Sequence, residues 1–293
     1  MKSRWLLNIA LLLLVAGIAL ALYLVPQQKD ATPEKVKVSS IDPGSVSKIS
    51  IEFPAKAPVV LEKQDGYWHL VQPYKARASQ ELARLITSIL SASSSNKLPG
   101  DDLARYDLDQ PALKLRLDNE ELLFGTHNPL DSRQYVAYEG AVYLLPAAYA
   151  ELAATQIVEM LDKSLLATTE QITGFDFSRL EQWEPTGLRL DHENGQWKVS
   201  IAAAKPVQKE IDDWFSENWQ NLTALSVEPY QPDARAKHPT FEIKLKNGKT
   251  IHVEKLRESP ELQLGRPDEG LIYHFAQDTG FVILNPPIGF KPQ

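Results

Sequence analysis

The sequence predicts an α+β protein: an N-terminal transmembrane helix followed by two tandem copies of an antiparallel-sheet-plus-helix module. Three observations carry that expectation. An apolar run opens the chain from Trp5 to Val25. The phrase "DGYWHLVQP" at residues 65–73 returns as "NGQWKVSIA" at 194–202, with Gly66 and Gly195 standing 129 positions apart. Around each phrase the same order of strand and helix patterns recurs.

The opening run is interrupted only by Asn8 and Gly17. At about 1.5 Å per residue it spans roughly 30 Å, the thickness of a bilayer's hydrocarbon core. Lys2 and Arg4 precede it, so the positive-inside rule predicts a bacterial inner-membrane protein with a cytoplasmic N-terminus and a periplasmic body. Ala19-Leu20-Ala21 has the small-x-small form of a signal-peptide cleavage site. The run continues past it through Val25, and Trp5 and Tyr23 sit where interfacial aromatics belong, which favours an uncleaved anchor. "PQQKDATPEKVKVSS" is polar, holds two prolines and reads as a tether. The organisation expected is an anchor at 1–25, a flexible tether at 26–40, a first module with a connecting helix at 41–165, and a second module at 166–293.

The first module opens with "VSKISIEF" and "PVVLEKQDGYWHLV". Asp65-Gly66 between alternating residues predicts a β-hairpin, with Trp68 and Leu70 on one face. In "ASQELARLITSILSAS", Leu82, Leu85, Ile86, Ile89 and Leu90 form one helical stripe, and Ser79 is the expected N-cap. "ALKLRL", "ELLFG", "RQYVAYEG" and "AVYLLP" then predict a four-strand antiparallel run. A connecting helix is expected from Tyr149, Leu152, Ala153, Ile157, Met160 and Leu161.

The second module follows the same order. "GLRLDHENGQWKVSI" predicts the hairpin, and Ile211, Phe215, Trp219 and Leu222 the helix stripe. "TFEIKLKNGKTIHVEKL" and "DEGLIYHFAQDTGFVIL" predict the remaining strands, and aligning Gly140 with Gly270 places Tyr143 on Tyr273. Pro286, Pro287 and Pro292 forbid a helix at the end.

Trp68, Tyr106, Leu108, Pro111, Gly125, Tyr135, Val136 and Tyr143 together form a pattern. It resembles the bacterial domain-of-unknown-function family numbered 4340, over about residues 49–161. That pattern is a strand ending in Gly-x-Trp, a helix, a Tyr-x-Leu-x-x-Pro entry, a strand ending in Gly and an aromatic-Val hairpin. Position 107 is Asp where the family usually has Gly. The resemblance implies an envelope auxiliary protein, since members are often encoded beside gliding-motility-type transporter components. It implies nothing about chemistry.

Composition excludes several functions. The chain holds no Cys, so disulfides, thiolate catalysis and Cys-ligated metals are absent. With Lys2 and Arg4 set aside, 29 basic groups stand against 38 acidic ones, and that net of −9 repels nucleic acid. "KNGKT" at 246–250 lacks the earlier glycine of a phosphate loop and reads as a hairpin turn. None of the six His residues forms a clustered metal motif. His69 and His252 alternate out of phase with their apolar neighbours, and His127, His192 and His238 lie in turn-like contexts. Asp101-Asp102, Glu120-Glu121 and Asp212-Asp213 are chain neighbours, which diverge instead of converging across a cleft. Asp101 reads as an N-cap and Asp212-Asp213 as first-turn acids. Trp183, Trp214, Phe215 and Trp219 are core residues or an apolar groove, and the exposure of Trp214 separates the two.

No catalytic, cofactor-binding or metal-ligating residue is therefore assigned, and no cofactor is expected. The function expected is a non-enzymatic, single-pass, membrane-anchored periplasmic accessory or scaffolding subunit. Its partners are the inner membrane through Trp5–Val25 and a membrane-protein complex such as an ABC-type transporter, with no nucleic acid. The alternative is a periplasmic module that captures a lipid, glycan or peptide in a groove between the modules. A hydrolase whose site assembles from residues distant in sequence is the weaker third.

Overall fold

The structure, a computed structural model, describes residues 2–24, 35–231, 233 and 235–290. Most of the expected tether lies outside those residues, as do Val25 and Pro292.

After helix α1 (Lys2–Leu24), the described residues of the first part of the chain contribute eleven strands. They are β1 (Val36–Lys37), β2 (Lys48–Glu52), β3 (Val59–Gln64), β4 (Tyr67–Gln72), β5 (Ala76–Arg77), β6 (Ser93–Ser94), β7 (Lys97–Pro99), β8 (Leu113–Leu117), β9 (Glu120–His127), β10 (Arg133–Tyr138) and β11 (Ala141–Pro146). Nine of them form one sheet in the order β5-β4-β3-β2-β8-β9-β10-β11-β7, while β1 and β6 pair separately. The second part contributes β12 (Ile172–Asp176), β13 (Arg189–Glu193), β14 (Gln196–Val199), β15 (Ser226–Pro229), β16 (Thr240–Leu245), β17 (Thr250–Arg257), β18 (Glu261–Arg266) and β19 (Leu271–Ala276). Their sheet runs β14-β13-β12-β16-β17-β18-β19-β15. All pairs in both sheets are antiparallel. The first sheet runs as a four-strand meander β2–β5 and the second as a three-strand meander β12–β14; each then returns beside its first strand, adds a four-strand meander and ends on an edge strand, β7 or β15.

Local chemistry explains the hairpins. Asp65-Gly66, Glu139-Gly140 and Asn194-Gly195 are two-residue turns with positive φ at both positions, the type whose twist matches paired strands. Side chains then alternate: Leu113, Leu115 and Leu117 are buried while Arg116 is exposed. Trp68, Leu70 and Trp197 all point into the core.

The four α-helices besides α1 among the described residues are short: α2 (Gln80–Thr87), α3 (Ala148–Ala153), α4 (Gln208–Asn218) and α5 (Gln277–Leu284). Ser79 caps α2 as expected, its Oγ accepting from Leu82 N–H at 3.2 Å. Past Thr87 the stripe carrying Ile89 and Leu90 tightens into a 3₁₀ turn. The connecting helix is broken, with α3 ending at Ala153 and a 3₁₀ turn following at Ile157–Met160. Helix α5 occupies a stretch read from sequence as strand. It fits because Gly280 lets it approach β18, where an added Cβ would stand 2.9 Å from Leu262.

The expected fold class is corrected on two counts. No helix among the described residues is long and apolar enough to cross a membrane, so the transmembrane expectation fails. Lys2, Ser3 and Arg4 take up the first turn of α1, and Asn8 and Gly17 interrupt its apolar residues, against the roughly 20 apolar residues a crossing needs. Two tandem α+β modules are also not what the structure contains. The molecule is mostly β, its large sheets differ in strand number, and its helices after α1 have only 8, 6, 11 and 8 residues. One continuous cluster of buried side chains runs from Ile51 and Trp68 through Phe175 and Trp197 to Ile283, in place of two separate cores.

Candidate functional site

The segment after the 3₁₀ turn stitches the two large sheets together. Ser79 N–H donates to Met160 C=O at 2.8 Å and Asp162 N–H to Arg77 C=O at 2.9 Å. Farther on, Leu165 N–H donates to Leu222 C=O at 3.0 Å and Ala224 N–H to Lys163 C=O at 2.8 Å. The backbone donors and acceptors on this path are thus used in joining the sheets.

A charged cluster sits behind the seam. Arg77 Nε donates to Glu269 Oε1 at 2.9 Å, its Nη1 to Asp162 Oδ2 at 2.5 Å, and its Nη2 to Tyr273 Oη at 2.8 Å and Ser164 C=O at 2.6 Å. Arg266, 1% exposed, reaches Glu170 through Nη1 and Nη2 at 3.0 and 3.1 Å and Asp268 through Nη2 at 2.6 Å. Burial opposes the charge on both guanidiniums, but the surrounding acids outweigh it and hold both basicities above the ordinary Arg range. Burial, then the Glu269 carboxylate, pushes the Tyr273 phenol up. Every member has its partner, and the cluster ties β5 and the linker segment to β18 and β19 as a strut.

Two cavities flank the seam and share Ala167 and Thr168. The larger, about 500 Å³, lies against Phe215, Trp219 and residues 220–223. The smaller, about 290 Å³, lies against Trp68, Arg77, Gln80 and Asp162. Sequence reading missed both, because residues 164–171 carry no motif and become walls only when the sheets meet.

The residues weighed from sequence are placed as follows. Asn247-Gly248 is a turn between β16 and β17, with Gly248 at φ +80° and its N–H on Leu245 C=O. His127, His192 and His252 are exposed, while His69 and His238 are half-buried. The buried His is one that sequence does not single out: His274, whose Nδ1 lies 2.8 Å from Glu261 and whose Nε2 lies 3.2 Å from Glu228. Among the described residues, no group of three or more His, Asp or Glu side chains could hold a metal ion. Asp101 is exposed and caps nothing; the nearby 3₁₀ turn starts from Leu103, a correction to its expected N-cap role. Asp213 pairs with Lys209 at 2.5 Å along α4. Glu120 accepts from Tyr138 Oη at 2.5 Å, and burial with that bond pushes the Tyr138 phenol up to about 12.

The aromatic residues of the second sheet are core. Trp214 is 5% exposed, and its indole N–H donates to Val282 C=O at 2.7 Å. Trp219 and Trp183 donate to the next two carbonyls, Ile283 at 3.3 Å and Leu284 at 2.9 Å. Three indoles thus satisfy the last carbonyls of α5, which a helix end otherwise leaves unpaired.

The Tyr106-x-Leu108 turn shows why its pattern has the residues it does. Asp107 takes φ +56°, the left-handed conformation that glycine adopts freely, and Gly125 packs so closely that an added Cβ would stand 2.0 Å from Tyr106 C=O. No curated protein and no solved structure matches the chain. The family model described as "Domain of unknown function (DUF4340)" matches residues 68–247, reaching well past the 49–161 span expected from the motifs and into the second large sheet. That match covers more than half of the chain, and the protein belongs to the DUF4340 family.

Proposed function

We propose that the protein is a non-enzymatic accessory subunit of a bacterial envelope complex such as an ABC-type transporter. In this reading α1 associates with the inner membrane, and the sheet-rich body works on the periplasmic side. The supporting observation is the exposure of α1: Leu11, Leu12, Leu13 and Leu14 are 61–70% exposed in succession. A helix that is apolar all round is stable only when it is buried against protein or lipid. Burial of such surface contributes about 25 cal/mol per Å². The net of −9 on the rest of the chain keeps the body off anionic headgroups, leaving it free to meet a protein.

Fractionation of the full chain from its native host, followed by affinity purification in mild detergent with mass spectrometry, tests this. The expected result is recovery in the membrane fraction together with integral transport subunits in stoichiometric amount, and release from membranes when residues 1–34 are deleted. Recovery of the full chain in the soluble fraction, or purification free of any integral membrane protein, overturns the proposal.

A further inference from the structure

We infer that the larger seam cavity is a binding site for a short neutral saccharide. The inference does not rest on the accessory role above. At about 500 Å³ the cavity falls within the roughly 300–1,000 Å³ of small-molecule sites.

Its lining selects the chemistry. Among the described residues the one ionisable lining residue is Glu170, and its carboxylate is already engaged: Arg266 donates to both oxygens, and Ala167 N–H donates to Oε2 at 2.8 Å. A charged ligand therefore finds no free counter-charge. Among the described residues, the amides of Gln171, Gln220 and Asn221 and the hydroxyls of Ser164 and Thr168 find no hydrogen-bond partner, so each offers a donor and an acceptor to the cavity. Half-buried Phe215, Leu166 and Ile172 add apolar surface to the same lining. Phe215 is held in place by its neighbour Trp197, ring centroids 5.1 Å apart. Amides and hydroxyls together with apolar surface match a pyranose ring, which presents hydroxyls at its edge and C–H groups on its faces.

A peptide is the poorer match. Extended peptides are captured mainly through free backbone groups of a strand edge. Here Leu165 N–H is spent on Leu222 C=O, Ala224 N–H on Lys163 C=O, and Gln171 C=O accepts from Lys246 N–H at 2.9 Å.

Saturation-transfer NMR and calorimetry on the detergent-solubilised full chain, with maltotriose, cellotriose and chitotriose as probes and trialanine as the peptide control, decide the matter. Saturation transfer to the ring protons of at least one sugar is expected. Gln220→Ala combined with Asn221→Ala should weaken that sugar's binding about tenfold or more, the loss of one or two neutral hydrogen bonds. Phe215→Ser is the second variant and should abolish the transfer. Thermal melts check the fold of both variants; the double variant should keep its midpoint, since Gln220 and Asn221 are exposed, and it carries the test if Phe215→Ser loses stability. Absence of binding by all three sugars, binding of trialanine in their place, or affinity unchanged in the folded double variant overturns the inference.

Discussion

Gln80 grips Trp68 by both of its backbone polar groups. Trp68 N–H donates to Gln80 Oε1 at 2.9 Å, and Gln80 Nε2 donates back to Trp68 C=O at 3.0 Å. The side-chain amide acts as one rung of a strand ladder, placed by the first residue of α2. Gln208, the first residue of α4, does the same to Trp197 at 2.8 Å in both directions.

Gln80→Ala should therefore leave Trp68 N–H without its partner and lower stability by about 1–3 kcal/mol. Gln208→Ala should cost a similar amount. Urea melts check both, and a change below about 0.5 kcal/mol in each would show that water replaces the clamp.

Truncation of either tryptophan should move a single transition. Trp68→Ala and Trp197→Ala each remove a large side chain from one continuous core, at a cost of about 3–5 kcal/mol. Calorimetry should show one cooperative peak displaced in both. Two peaks, with only one displaced in each variant, would mean that the sheets unfold independently.

The indole nitrogens should differ in worth. Trp197 Nε1 is buried with no hydrogen-bond partner among the described residues, whereas Trp183 Nε1 donates to Leu284 C=O. Trp183→Phe should cost about 1–3 kcal/mol more than Trp197→Phe, because only the former orphans a buried carbonyl. Equal losses in chemical denaturation would contradict that assignment.

The strut of Arg77 predicts strong coupling. Arg77→Met leaves the Asp162 carboxylate without its cation and Glu269 with Arg266 alone, at 3.3 Å, and should cost about 3–5 kcal/mol. Adding Glu269→Gln should recover part of the loss. A double-mutant cycle whose two single losses simply add would show that the two residues act separately.

Alkaline stability follows from Tyr138. Its phenol is raised from the ordinary 10 to about 12, so between those values the unfolded chain has released a proton that the folded chain keeps. Stability is then full below pH 10 and falls as pH rises through about 12. Tyr138→Phe should lower stability at neutral pH yet flatten that alkaline decline. Ultraviolet titration of the phenolates checks it, and ionisation of Tyr138 near pH 10 in the folded protein would refute it.

Sequence alone determined what depends on neighbours in the chain. Asp65-Gly66 and Asn194-Gly195 announce their hairpins because few residue pairs accept positive φ at both positions. Alternation in "ALKLRL" marks the buried face of β8, and Ser79 marks the start of α2, since a hydroxyl there reaches an N–H only three residues away. The family pattern was legible for the same reason, being made of turn glycines and inward aromatics. Tertiary structure alone decided where the helices stop, that one core serves both sheets, and that Trp214 lies under α5 instead of facing solvent. It also decided the seam. Arg77 and Glu269 lie far apart in the chain, and nothing local to either predicts their meeting. The cavity beside Phe215 likewise exists only because residues 164–172 and 215–223 come from elements that approach through long-range pairing. Periodicity reports which face of an element is buried; what that face is buried against is set by contacts that the local pattern does not encode.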